Sequence, residues 1–106
     1  MDPTEFQPVA LPFGGETFYI APDLDLVLEI EDELGSLPAL FLRFRSNEWK
    51  ASEAITLIQM MLAHAGKTID WKDLGRALLA EGMIHYRQPV LDLLSLPVTG
   101  RKLIAA

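Results

Sequence analysis

Cysteine is absent from this chain of 106 residues. Its absence excludes disulfide bonds, zinc sites built from thiolates and catalysis by a cysteine nucleophile. Basic side chains are also few, since nine Lys and Arg residues stand against fifteen Asp and Glu residues, for a net charge of −6. The basic residues are scattered, so a nucleic-acid backbone would be repelled and we expect no nucleic-acid partner.

Long apolar runs are lacking as well. No window approaches the roughly eighteen apolar residues of a membrane-spanning helix, so we expect no membrane partner. The N-terminus has no basic start followed by an apolar run, so it does not resemble a signal peptide. Yet 50% of the residues are hydrophobic and the mean hydropathy is +0.21, which is apolar for one small domain. The surplus indicates either an Ala- and Leu-rich helical core or a surface meant for a partner.

Two β-prone runs, residues 9–13 and 16–20, flank a Gly14–Gly15 pair. This spacing predicts a β-hairpin, with Pro12 placing the first run at a sheet edge. The rest of the chain shows helical periodicity, broken by Gly and Pro. The predicted helices are 22–34, 36–44, 52–66, 71–80 and 83–94.

The pattern predicts an α+β fold that is mostly α, in which a short N-terminal hairpin packs on a bundle of four to five helices. We expect a flexible leader over residues 1–8, one globular domain over 9–96 and a loose tail over 97–106. Pro89 lies within the last predicted helix, so that helix either kinks there or begins nearby. Leu96 and Pro97 are expected to end it.

The helix over residues 52–66 has apolar residues on too many of its faces. Leu57 and Met60 lie away from its main apolar face, and Met61 is adjacent to Met60. The helix is therefore either covered on two sides by its own chain or leaves an apolar strip for another chain. In the second interpretation Leu57, Met60 and Met61 contact a partner, because flexible methionines suit the binding of helices.

The helix over residues 22–34 carries a row of acidic side chains. Asp25, Glu29 and Asp32 follow helical spacing on its polar face. The row is either a solvated face or a charged rim that docks a basic partner. Glu31 falls inside the apolar arc, so we expect it to pair with a cation such as Arg43 or Arg45.

The sequence lacks the motifs that are typical of catalytic and metal-binding sites. His64 and His85 have no carboxylate or histidine at metal-ligand spacing, and the G-x-S-x-G nucleophile pattern is absent. The carboxylates of the acidic row face away from the core, so nothing raises a pKa towards a working acid. We therefore predict no catalytic, metal or cofactor-binding residues, and a protein that is not an enzyme.

The order of these segments resembles a known family. An acidic helix ends in Leu28-Glu29-Ile30-Glu31-Asp32-Glu33-Leu34-Gly35, and an apolar helix ends in Leu57-Ile58-Gln59-Met60-Met61-Leu62-Ala63-His64-Ala65-Gly66. With the hairpin before them, they resemble the small tail assembly proteins of gene transfer agents and related siphophages. These are classed as phage tail assembly chaperones and are sometimes labelled tail tube proteins.

The resemblance implies a non-enzymatic protein in the cytoplasm of a bacterial host. It would bind the helical tape measure protein and help tail tube protein assemble around it. The alternative is a structural tail component incorporated in the particle, whose hairpin pairs edge to edge with neighbouring copies, and self-association stays open in both cases. A small regulatory or enzymatic domain unrelated to phage is a third hypothesis.

Overall fold

The computed structural model describes residues 8–100, which form a two-stranded hairpin followed by helices. The elements are β1 (Val9–Phe13), β2 (Glu16–Ile20), α1 (Leu24–Leu34), α2 (Leu37–Arg45), α3 (Ala51–His64), α4 (Trp71–Glu81), a 3₁₀ turn (Met83–Tyr86) and α5 (Arg87–Thr99). The predicted fold class is confirmed. The predicted leader and tail lie largely outside the described residues.

The hairpin turns on the two glycines that the sequence indicated. Gly14 and Gly15 have φ of +61° and +80°, so both occupy the region that a primed two-residue turn requires. The strands pair antiparallel from Phe13 opposite Glu16 to Val9 opposite Ile20. Val9 and Ile20 are buried on the inner face, where β1 packs on α5 and β2 packs on α3.

Helix α3 lies at the centre of the fold and contacts α1, α4, α5 and β2. Leu57 and Met61 are 0% exposed and Met60 is 7% exposed. The expectation that these three side chains leave an apolar strip for a partner is therefore wrong, because the chain covers this helix on both sides by itself. The apolar surplus of α3 belongs to the core.

Side chains cap the first two helices. The Asp23 carboxylate accepts from the backbone N–H of Leu26 at 2.9 Å, and the Ser36 hydroxyl caps α2. The expected pairing of Glu31 with Arg43 or Arg45 is wrong. The exposed Glu31 carboxylate instead accepts from the backbone N–H of Leu37 at 3.0 Å, so it satisfies a donor at the start of α2.

Helix α5 is longer at its C-terminal end than the sequence indicated. Pro89 is the third residue of α5, where the first helical turn tolerates proline, so the helix begins nearby rather than kinking. The predicted end at Leu96 and Pro97 is wrong, since the helix continues to Thr99 and ends at Gly100. A proline so close to the C-terminus interrupts little of the backbone ladder, and buried Leu96 holds the last turn on the core.

Candidate functional site

The described residues form several surfaces that are available for contact with another protein. Among residues 8–100, no three or more His, Asp or Glu side chains cluster as metal ligands. In the same part of the chain, no helix is long and apolar enough to cross a membrane. Four features, three on the surface and one where two helices meet, are formed by residues of the hairpin and of helices α1 to α4.

The first feature is the outer edge of β2. In a two-residue hairpin the pair flanking the turn exchanges backbone hydrogen bonds, so the pairs Pro12–Thr17 and Ala10–Tyr19 direct their backbone groups outward. No backbone partner meets Thr17 or Tyr19 at this edge within residues 8–100. Pro12 lacks an N–H, so the corresponding edge of β1 is missing a donor. The outer edge of β2 is therefore the more complete template for another strand.

The second feature is the outer face of α1. Leu24 and Leu28, one helical turn apart, are 70% and 53% exposed. Asp25, Glu29 and Asp32 are all exposed on the same helix, as the sequence predicted. None of these three carboxylates lies within ion-pair distance of a basic side chain among the described residues.

The third feature is a groove of about 480 Å³ between α1 and the α3–α4 region. Glu29 and Glu33 line it on the α1 side, and Met60, Ile69 and Trp71 line it elsewhere. The indole N–H of Trp71 donates to the Thr56 hydroxyl at 3.0 Å, which fixes the ring. The Gln59 amide likewise donates to the Ile69 carbonyl at 2.9 Å, so the connection between α3 and α4 is held in place.

The fourth feature lies where α2 meets the start of α3. The nearly buried Glu53 carboxylate accepts from the backbone N–H of Lys50 at 2.9 Å and pairs with the Arg43 guanidinium. Burial alone would raise the pKa of Glu53, but the Lys50 backbone and Arg43 outweigh it, so the pKa is lowered. This ion pair ties α2 to the start of α3.

A further polar contact lies near the hairpin turn. The Tyr86 hydroxyl donates to the Glu81 carboxylate, and burial together with this acceptor raises the pKa of Tyr86. His85 is exposed. His64 lies 3.3 Å from the Asp23 carboxylate, which links the end of α3 to the start of α1.

Comparison with protein families matches residues 7–100 to the family described as phage tail tube protein, GTA-gp10. The match covers most of the chain. The chain belongs to this phage tail tube protein family. No curated protein and no solved structure matches it. The resemblance to phage and gene transfer agent tail proteins is confirmed at the level of the family, while a role as an assembly chaperone stays a prediction.

For this tail tube family member, the structure separates the two groups of predicted contact residues. It places Leu57, Met60 and Met61 in or against the core, and Asp25, Glu29 and Asp32 on the surface. Sequence reasoning missed Leu24 and Leu28 as exposed apolar residues, because helical spacing places them at the flanks of the inner face of α1. It also missed the Glu53–Arg43 pair. An acidic residue three positions after a helix start was the available signal for Glu53.

Proposed function

We propose that this protein is a structural component of the tail of a phage or gene transfer agent, and that the outer edge of β2 pairs with a strand of a neighbouring tail subunit. The observation that carries the proposal is the edge itself, where Thr17 and Tyr19 present backbone groups without backbone partners in the described chain. Added strands gain affinity from main-chain hydrogen bonds and so need no deep pocket.

The rest of the fold suits this role. Leu57 and Met61 are enclosed, so the helical core is complete without a partner and gives the hairpin a stable base. A two-stranded ribbon is marginal alone, and packing on α3 and α5 is what keeps it in one shape. The family description of a tail tube protein supports contact with tail tube subunits, either copies of this chain or a separate tube protein.

The proposal is a non-enzymatic one. In this role the protein binds other proteins, needs no cofactor and acts in the bacterial cytoplasm where tails assemble. Quantitative mass spectrometry of purified particles tests it. We expect the protein at a fixed copy number relative to the other tail proteins, and its absence from intact particles would contradict incorporation.

A second candidate function is the assembly chaperone, because one observation favours it. Leu24 and Leu28 form an exposed apolar strip on α1, and Asp25 and Asp32 lie on the same helix. Such a strip could cover an apolar stripe on the helical tape measure protein while the carboxylates keep the complex soluble. This strip takes the place of the enclosed residues Leu57, Met60 and Met61.

Co-purification tests the chaperone role separately. We expect the wild-type protein to co-purify with the tape measure protein from cells that express both, and Leu24→Ser with Leu28→Ser to reduce recovery at least five-fold. Pro12→Ser, an exposed change on the hairpin, is the control and should leave recovery unchanged. Recovery of no tape measure protein by the wild type would rule this function out.

A further inference from the structure

We infer that the groove between α1 and the α3–α4 region receives an arginine side chain from another tail protein. The inference rests on the proposed function only in naming a tail protein as the source of that side chain. The groove, of about 480 Å³, falls in the range of sites that hold side chains or small ligands.

The negative charge of the groove favours a cation as its occupant. The charged residues that line it are Glu29 and Glu33, which are four positions apart on α1 and therefore repel each other. No basic side chain of residues 8–100 lies within 4.0 Å of either carboxylate. Arg43 already pairs with Glu53, and Arg76 already pairs with Asp73, so neither arginine supplies a cation to the groove.

The remaining walls suit arginine in particular. Trp71 is 37% exposed, so part of its ring is available for contact, and the hydrogen bond from its indole N–H to Thr56 holds the ring in place. The half-buried Ile69 offers apolar surface for the methylene stem of a long side chain. A guanidinium stacks on an aromatic ring and donates to carboxylates in a planar fork, whereas a lysine ammonium is a strongly hydrated point charge.

A second copy of the chain is the less suitable occupant. Each copy carries a net charge of −6, so two copies repel each other at long range. A basic segment of a different protein is instead attracted by the same field. The inference thus names the occupant by its chemistry, which is an arginine on a segment of low or positive net charge.

Peptide titration of the full-length, ¹⁵N-labelled protein tests the inference. The probes are a short amidated peptide with one central arginine among alanines and leucines, and two otherwise identical peptides with citrulline or lysine at that position. We expect saturable shifts of the Trp71 indole N–H with the arginine peptide, and at least ten-fold weaker binding of the citrulline peptide. Absence of saturable binding, or equal binding of the citrulline or lysine peptide, would overturn the inference.

Two matched double variants locate the contact. Glu29→Gln with Glu33→Gln should weaken binding of the arginine peptide at least ten-fold. Asp25→Asn with Asp32→Asn removes the same charge from the same helix outside the groove and should weaken it less than three-fold. Equal effects would show that binding follows only net charge. A failed titration leaves particle incorporation untouched, and absence from particles leaves the titration result untouched, so the two proposals fail separately.

Discussion

Leu57 and Leu28 illustrate at the residue scale how one amino-acid type serves two purposes. Leu57 on α3 is 0% exposed and lies among core residues, whereas Leu28 on α1 is 53% exposed. Their helical patterns do not distinguish them, because periodicity gives the direction of a side chain and not what its neighbours are. Their energetic roles should therefore differ sharply.

We predict that Leu57→Ala lowers the free energy of unfolding by about 2–5 kcal/mol, since it removes buried methyl groups and leaves a cavity. The matched change Leu28→Ala should alter it by less than about 0.5 kcal/mol, as is usual for exposed positions. Urea denaturation followed by circular dichroism measures both. Similar losses for the two variants would show that the core assignment is wrong.

Glu53 gives a prediction about pH. Its lowered pKa means that its contribution to stability is complete above its ordinary value of 4.5 and is lost as the pH falls through the lower value of the folded chain. Glu53→Gln should lower the free energy of unfolding by about 1–2 kcal/mol at pH 7. The loss is modest because solvent screens the partly exposed Arg43.

Denaturation of the wild type and Glu53→Gln between pH 3 and pH 7 measures this difference. The two unfolding free energies should converge as the solution is acidified. Glu16→Gln, an exposed carboxylate on the hairpin, is the control and should track the wild type throughout. A gap that stays constant down to pH 3 would contradict the assigned charge.

At the scale of elements, the hairpin turn depends on backbone conformation rather than on packing. A Cβ added at Gly14 would meet no atom within 4 Å, but φ there is +61°. Asparagine tolerates this conformation and β-branched residues do not. We predict that Gly14→Val lowers the free energy of unfolding by about 1–2 kcal/mol, whereas Gly14→Asn changes it by less than about 0.5 kcal/mol.

Thermal unfolding of the two Gly14 variants measures that difference. Since the added side chains point into open space, equal stability of Gly14→Val and Gly14→Asn would mean that the turn adopts another conformation. An unchanged hairpin is also a requirement for the proposed β2 edge. The turn variants therefore test the hairpin conformation on which the proposed pairing of the β2 edge depends.

The elements themselves were largely predictable from local patterns, and the exceptions have physical reasons. Gly14 and Gly15 marked the turn, and Asp23 and Ser36 marked helix starts, because these residues act within a few positions of themselves. The end of α5 was not predictable, because burial of Leu96 against the core keeps the helix intact through Pro97. Glu31 was misassigned, since its hydrogen bond depends on how the chain turns between α1 and α2.

At the scale of the whole molecule, the described residues have a radius of gyration of 12.9 Å, about the value expected for a compact domain of this length. The candidate surfaces were only partly predictable. The acidic row on α1 followed from spacing alone. The enclosure of α3 did not, because it requires the hairpin, α1, α4 and α5 to meet around one helix, and the groove beside Trp71 depends on the same arrangement.

The central claim is that the outer edge of β2 joins this protein to its neighbours in the tail. Thr17→Pro removes an outward N–H from β2, and Ala10→Pro removes one from β1, so neither change breaks the ladder within the hairpin. The most direct measurement is the number of copies of each variant in purified particles, by quantitative mass spectrometry. We predict at least a ten-fold loss for Thr17→Pro and a wild-type copy number for Ala10→Pro. Incorporation of Thr17→Pro at the wild-type level would contradict the account.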